Sequence, residues 1–418
     1  LAVNVKLKSV FVWLRRLFLW LVTLLSIILA LVIVVLQSSN FQSYITKRIL
    51  AEISAKTGHE MSIEKIDVKW FDKIIIYNAS ILDYQDFPML QTKTLTVDFE
   101  LQRILSTKSL AFDAVKIDDG FLRLVNYEDT SSINIVQFIK SLQNLKPQVK
   151  DSTSTDVALG IDKISIDQFQ FSYHDETKDS LKQSLFDYGH FRLDIKDLLS
   201  YDFNVDQGEL DLHFDQILVY DSASHLSVED LRGDFHLKPN YLGFSDLNLS
   251  TSHSNINGSI GMNFESIQDL SDFVNKVSLD VSLKSSELSS RDLDYFVNIP
   301  LDPFTFKVDG NLSGTIPRLD ISELLLSFGT GTSLEGRLSL FGLPNITETF
   351  IDADFKNANV VIKDLDAFTD RMVPELYRFG EVDIRGRFSG FLNDFVATAA
   401  FTTKLGNVKS DLNLKFKN

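Results

Sequence analysis

Through most of this chain apolar and polar residues alternate with a period of two, which limits it to strands with one dry and one wet face. Leu95, Val97 and Phe99 alternate with Thr96, Asp98 and Glu100. Leu210, Leu212 and Phe214 alternate with Asp211, His213 and Asp215, and Leu279, Val281 and Leu283 with Asp280, Ser282 and Lys284. Ile256, Gly258, Ile260, Met262 and Phe264 share one face of another segment. The predicted fold class is mainly β, an antiparallel sheet with a few short helices. Helical spacing is confined to residues 41–57, where Phe41, Tyr44, Ile45, Ile49 and Ile53 precede a capping Gly58, and to residues 135–142, 270–277 and 365–379. Residues 110–125 read as a hairpin turning at Asp119-Gly120.

Ahead of this pattern lies an uncharged apolar run, residues 17–36, marked by Leu17, Trp20, Leu24, Ile28 and Leu36. A bilayer core takes about 20 such residues as a helix. Lys6, Lys8, Arg15 and Arg16 precede the run and no acidic residue occurs before Glu52, so the positive-inside bias predicts a cytoplasmic N-terminus. A cleaved signal peptide is the competing reading. The run is longer than a signal core, and Val35-Leu36-Gln37-Ser38-Ser39 offers no small-x-small cleavage site.

Charge separates the anchor from the body. Residues 1–48 carry six basic and no acidic residues, whereas the whole chain is −16, so the remainder is −22. That balance disfavours nucleic acid, which needs a basic footprint. There are no cysteines, which removes disulfides, thiol nucleophiles and thiolate metal sites. The 33 phenylalanines demand a large apolar interior, a packed core or a lined cavity.

Residues 146–157 are polar and aperiodic, the best linker in the chain. The expected organisation is therefore an anchor over 1–38, a β domain with an amphipathic helix over 39–145, the linker, and an elongated β region over 158–418. An imperfect repeat runs through the last of these. Asp292-Leu-Asp-Tyr-Phe296 precedes Val308-x-Gly310-x-Leu312-x-Gly314, and Asp364-Leu-Asp-Ala-Phe368 precedes Ile384-x-Gly386-x-Phe388-x-Gly390, 72 to 76 residues later. Leu334-x-Gly336-x-Leu338-x-Leu340 is of the same type. Glycine at apolar-facing strand positions permits bulges or curvature.

Catalytic patterns are missing from the sequence. The seven histidines form no H-E-x-x-H, there is no G-x-S-x-G and no P-loop, and the glycines from Gly329 to Gly336 are misplaced for a dinucleotide loop. The expectation is a chain that is not an enzyme and carries no cofactor or metal.

The order of features resembles a known family. The apolar run and short helix are followed by Thr57-Gly-His-Glu-Met-Ser-Ile-Glu-Lys-Ile-Asp-Val, then Trp70-Phe-Asp-Lys-Ile-Ile-Ile-Tyr-Asn-Ala-Ser-Ile-Leu-Asp83, Leu95-Thr-Val-Asp-Phe99, residues 115–120 and Ser132-Ile-Asn-Ile135. This series resembles the N-terminal portion of the AsmA-like envelope proteins, most of all their TamB-like branch, and the distal Asp-Leu-Asp and Gly-x-Phe-Ser-Gly segments are similar to that branch too. The resemblance implies a single-pass anchor in the inner membrane with the bulk in the periplasm. It also implies a sheet curled into a taco-like apolar trough, and passage of phospholipid toward the outer membrane. The TamB-like branch is also linked to outer-membrane protein assembly and secretion through a barrel partner, met by a C-terminal domain expected beyond this sequence. A lipid groove would be lined by Leu95, Val97, Phe99, Leu210, Leu212, Phe214, Ile260, Met262, Phe264, Leu338, Leu340 and Phe388. An assembly scaffold, and an anchored module of closed β-sandwiches, are the other readings open at this point.

Overall fold

A computed structural model describes residues 38–415, except 70–71, 101, 104–109, 131, 144–158, 180–185, 188, 207–208, 223, 296–302, 346–347, 368–373 and 392–393. The apolar run at 17–36 and the linker at 146–157 lie outside the described residues. Among those described, no helix is long and apolar enough to cross a membrane.

The described chain forms one open sheet of 19 strands. They are β1 (Met61–Lys69), β2 (Lys73–Leu82), β3 (Pro88–Asp98), β4 (Leu110–Phe112), β5 (Ala114–Asn126), β6 (Leu159–Asp175), β7 (His190–Asp206), β8 (Glu209–Asp221), β9 (Ser227–Lys238) and β10 (Tyr241–Thr251). After them come β11 (Asn255–Asn263), β12 (Ser278–Ser289), β13 (Thr305–Thr315), β14 (Arg318–Phe328), β15 (Thr332–Phe341), β16 (Phe350–Val361), β17 (Glu381–Phe391), β18 (Asp394–Thr403) and β19 (Gly406–Lys415). Apart from β4, neighbours in sequence are neighbours in the sheet, with β3 pairing directly with β5, and the pairing is antiparallel almost throughout. The exceptions are the β5–β6 and β4–β6 pairs, which are parallel. A parallel pair needs a crossover, and helix α2 (Asn134–Gln143) stands in that connection. β4 and β5 lie end to end along β6. The sheet is thus continuous on both sides of residues 146–157.

Helix α1 (Ser39–Thr57) ends at Gly58 in the left-handed conformation, as the spacing predicts. It lies along the outer edge of β1. The Gln42 side chain accepts from the Val68 amide at 2.9 Å and donates to its carbonyl at 3.4 Å, as a neighbouring strand would. Farther along, the Met61 amide donates to Ser54 Oγ at 3.0 Å. An edge strand is otherwise a template for unwanted pairing, and α1 covers this one.

One physical device organises the strands. Residues with positive φ sit inside them: Asn78 in β2, Asp119 in β5, Gln168 in β6, Asp246 in β10, Ser285 in β12 and Glu323 in β14. Each belongs to a pair of successive residues that interrupts the apolar alternation, such as Asp118-Asp119, Asp167-Gln168 and Ser322-Glu323. At Asp246, Ser285 and Glu323 the pairing register shifts by one, the mark of a β-bulge, which bends the strand; at Asn78, Asp119 and Gln168 the register is unbroken and the left-handed residues stand side by side, a kink shared by neighbouring strands. Without the extra residue every side chain beyond would change face. With it, Val115 and Ile117 before the kink and Gly120 and Leu122 after it stay on one face. The predicted hairpin at Asp119-Gly120 is therefore corrected: β5 runs straight through as a single strand paired to β3 and β6. Asp favours left-handed backbone inside a kinked strand as well as in a turn, and the residues alone do not distinguish the two.

Glycines continue this line across the sheet. Gly258 has φ of 142° and pairs with Leu247 and Leu283, flanking the bulges at Asp246 and Ser285. A Cβ there would lie 1.8 Å from the Ser282 carbonyl oxygen. Gly258→Ala is expected to destabilise the sheet by about 2 kcal/mol or more through strain and steric displacement. Gly160→Ala in β6, where a Cβ would meet nothing closer than 4.0 Å, is expected to be neutral to within about 1 kcal/mol. Urea unfolding of both variants checks the pair, and equal effects would count against the bulge argument.

Candidate apolar binding face

The kinks and bulges keep one face apolar over the full width of the sheet, and the strand register aligns its residues in rows. Ile66, Ile76, Leu95, Ile117, Ile166, Leu198 and Ile217 are successive partners from β1 to β8. Val68, Ile74, Val97, Val115, Ile164, Ser200 and Phe214 form the next row. From β8 onward, Leu210, Leu237, Leu242, Met262, Leu279, Gly314, Leu319, Leu340, Ile351, Gly390 and Phe395 form one row. Leu212, Phe235, Phe244, Ile260, Val281, Leu312, Ile321, Leu338, Ala353, Phe388, Ala397 and Leu412 form another, reaching β19.

The twelve residues singled out from the sequence all follow the parity of this face. Ten of them, Leu95, Val97, Leu210, Leu212, Phe214, Ile260, Met262, Leu338, Leu340 and Phe388, are half-buried. Phe99 and Phe264 lie just beyond the ends of β3 and β11 and are buried, at 9% and 6% exposure. Their amides donate to the carbonyls of Asp72 and Asn240, so these two rings pack as core at one rim. Aromatic contacts tie the face laterally: Phe214, Phe235 and Phe244 have ring centroids 5.1 to 6.2 Å apart, and Phe388 lies 4.7 Å from Phe395.

The opposite face is wet. His213 pairs with Asp234 at 2.7 Å and His236 with Asp211 at 2.6 Å across β8 and β9. An open hollow of about 710 Å³ runs over the kinks of β2, β5 and β6, lined by Asn78, Lys93, Asp119, Gln168, Lys196 and their neighbours, among them Phe121, Phe169 and Ile195. Among the described residues no group of three His, Cys, Asp or Glu side chains converges on a metal position.

The sequence reading missed the acidic pins at one rim. Carboxylates there are buried and hold turns. Asp83, fully buried, accepts from the amides of Gln85 and Phe87 and from the Tyr127 hydroxyl at 2.6 Å. Burial and this carboxylate together push the Tyr127 phenol well above its ordinary value. Asp292 accepts from Thr251 Oγ1 and Ser254 Oγ in the β10–β11 turn. Asp364 does the same in the β14–β15 turn, through Thr330, Gly331 and Thr332. The two Asp-Leu-Asp segments thus play one role in two places, each reaching back from a helical insert to a hairpin. The detectable signal was the Asp-Leu-Asp repeat itself, which sequence periodicity gave without its partner.

No family model matches the chain, and no curated protein or solved structure matches it.

Proposed function

We propose that this protein is a membrane-anchored periplasmic bridge that carries phospholipid along its apolar sheet face, from the inner membrane toward the outer. The observation that supports this reading is a half-buried apolar face continuous across neighbouring strands from β1 to β19. In this reading the aligned kinks and bulges curl the sheet into a trough. With β4 and β5 end to end, the strands at about 4.8 Å spacing extend for roughly 80 Å. A lipid leaving a bilayer exposes its acyl chains at about 0.8 kcal/mol per CH₂, on the order of 20 kcal/mol for two chains. A continuous apolar lining removes most of that cost with no chemical step, in keeping with a chain whose sequence lacks catalytic patterns. The resemblance to AsmA-like proteins agrees in the order of anchor, helix and sheet.

The test is lipid occupancy. The full chain, extracted in mild detergent, is expected to retain phospholipid detectable by mass spectrometry after delipidating washes that clear a membrane protein of similar anchor. A well-folded chain free of phospholipid would sink the conduit reading. The second reading, a scaffold for outer-membrane protein assembly through a barrel partner, would use strand addition beside β19, which among the described residues pairs only with β18.

A further inference from the structure

Helix α1 turns the wrong face to the sheet for an ordinary amphipathic helix. Gln42 is buried against β1, and Thr46, Leu50, Ile53 and Ser54 are half-buried. Phe41, Tyr44, Ile45 and Ile49 are 37%, 61%, 38% and 51% exposed. These four recur at helical spacing, with Arg48 on the same stripe and Lys47 beside it. Large apolar residues exposed together on one helix face mark an interaction surface.

We infer that this face of α1 lies in the headgroup layer of the bilayer that holds the anchor, and that the sheet stands on the membrane on its β1 edge. The inference rests on the anchored reading of residues 17–36. Only Gln37 and Ser38 separate that run from the first residue of α1. Two residues reach at most about 7 Å, so the helix starts at the membrane surface. A helix with apolar residues on one side and basic residues at its border suits the interface between acyl chains and anionic headgroups. The geometry then orients the whole sheet. The N-terminal half of α1 contacts β1 at Val68 and its C-terminal half contacts β1 at Met61, so helix and strand run side by side. With α1 in the membrane plane, β1 lies parallel to that plane and successive strands stack away from it. The β1 end of the apolar rows, at Ile66 and Val68, is thereby the end nearest the lipid. That end is where a phospholipid would enter.

The cysteine-free chain permits a direct test. Single cysteines at Tyr44, Ile45, Ile49, Val408 and Ile28 are spin-labelled in the full chain, reconstituted in vesicles of phosphatidylethanolamine and phosphatidylglycerol. Collision rates are read with oxygen, which partitions into lipid, and with a water-soluble nickel chelate. Labels at 44, 45 and 49 are expected to show an oxygen-to-nickel ratio about tenfold above that at Val408, which is exposed on β19 at the far edge. Water-like ratios at all three, with Ile28 deep in lipid, would overturn the inference while leaving the anchor intact. Shielding from both reagents would overturn it too, since it signals a protein partner such as a second copy. A water-like ratio at Ile28 would remove the anchor on which the inference stands.

Discussion

Asp364→Ala is expected to speed hydrogen exchange at the Gly331 and Thr332 amides by on the order of a hundredfold, the equivalent of about 3 kcal/mol of local stability. The carboxylate accepts from the amides of Thr330, Gly331 and Thr332 and from two threonine hydroxyls, at 2.8 to 3.2 Å. Thr332 is 1% exposed, so water does not replace what alanine removes. The Thr332 hydroxyl also accepts from the Val361 amide at 3.0 Å, which links the hairpin to β16. The loosening is therefore expected to spread over β14 to β16 and stop there, because each strand of a serial sheet contacts only its neighbours. Asp366→Ala, which removes an exposed partner of Tyr377, is expected to leave the same amides unchanged. Equal exchange in both variants would show that the pin carries no stability.

The pin has a pH signature with a defined sign. Burial raises the Asp364 pKa, but the donors of Thr330 and Thr332 outweigh it and hold the carboxyl at about 2. A carboxylate whose folded pKa lies below its unfolded one contributes stability that is complete above the unfolded value and lost as pH falls through the folded value. The contribution, about 2 kcal/mol, is therefore expected to be full above about pH 5 and to fade toward pH 2. After correction for intrinsic exchange rates, wild type and Asp364→Ala should converge over that interval. A difference that persists unchanged at pH 2 would assign the effect to packing instead of charge.

How far the fold was legible depends on what kind of information each element uses. Strand identity follows from alternation alone, because a half-buried strand needs nothing beyond its own period, and Leu210 to Asp215 or Leu279 to Lys284 suffice. The kinks and bulges are written in the sequence as well, as paired interruptions such as Asp167-Gln168, but their meaning depends on the neighbouring strand. Asp119-Gly120 has the chemistry of a turn, and only its unbroken pairing with β3 and β6 makes it a kink within a strand. The side of α1 that meets the sheet was not legible. Its helical spacing marks an apolar stripe without saying what the stripe meets, and the Gln42 amide, a substitute for strand backbone, makes the contact with β1. The pins at Asp292 and Asp364 were hidden for a similar reason: their partners lie 32 to 41 residues away, beyond any local pattern, and Tyr127 lies 44 residues from Asp83.

Aspartates placed together at Leu212, Ile260 and Leu338 are expected to abolish phospholipid retention while leaving the sheet folded. The three lie in one row, on β8, β11 and β15, and each is half-buried. The experiment separates a lining from a core because the two respond to charge in opposite ways. In a packed core an unpaired carboxylate costs several kcal/mol, and three would unfold the chain. On a face open to water in the empty protein each carboxylate keeps much of its hydration, so the fold tolerates it. The same carboxylates must lose that hydration when acyl chains lie against the row, and the cost then falls on the lipid-bound state alone. Ser333→Asp, on the wet face of β15, is expected to retain lipid like the wild type. Unfolding of the triple variant, read by circular dichroism, would reassign the row to core. A folded triple variant that still carries phospholipid would place the lipid somewhere other than this row.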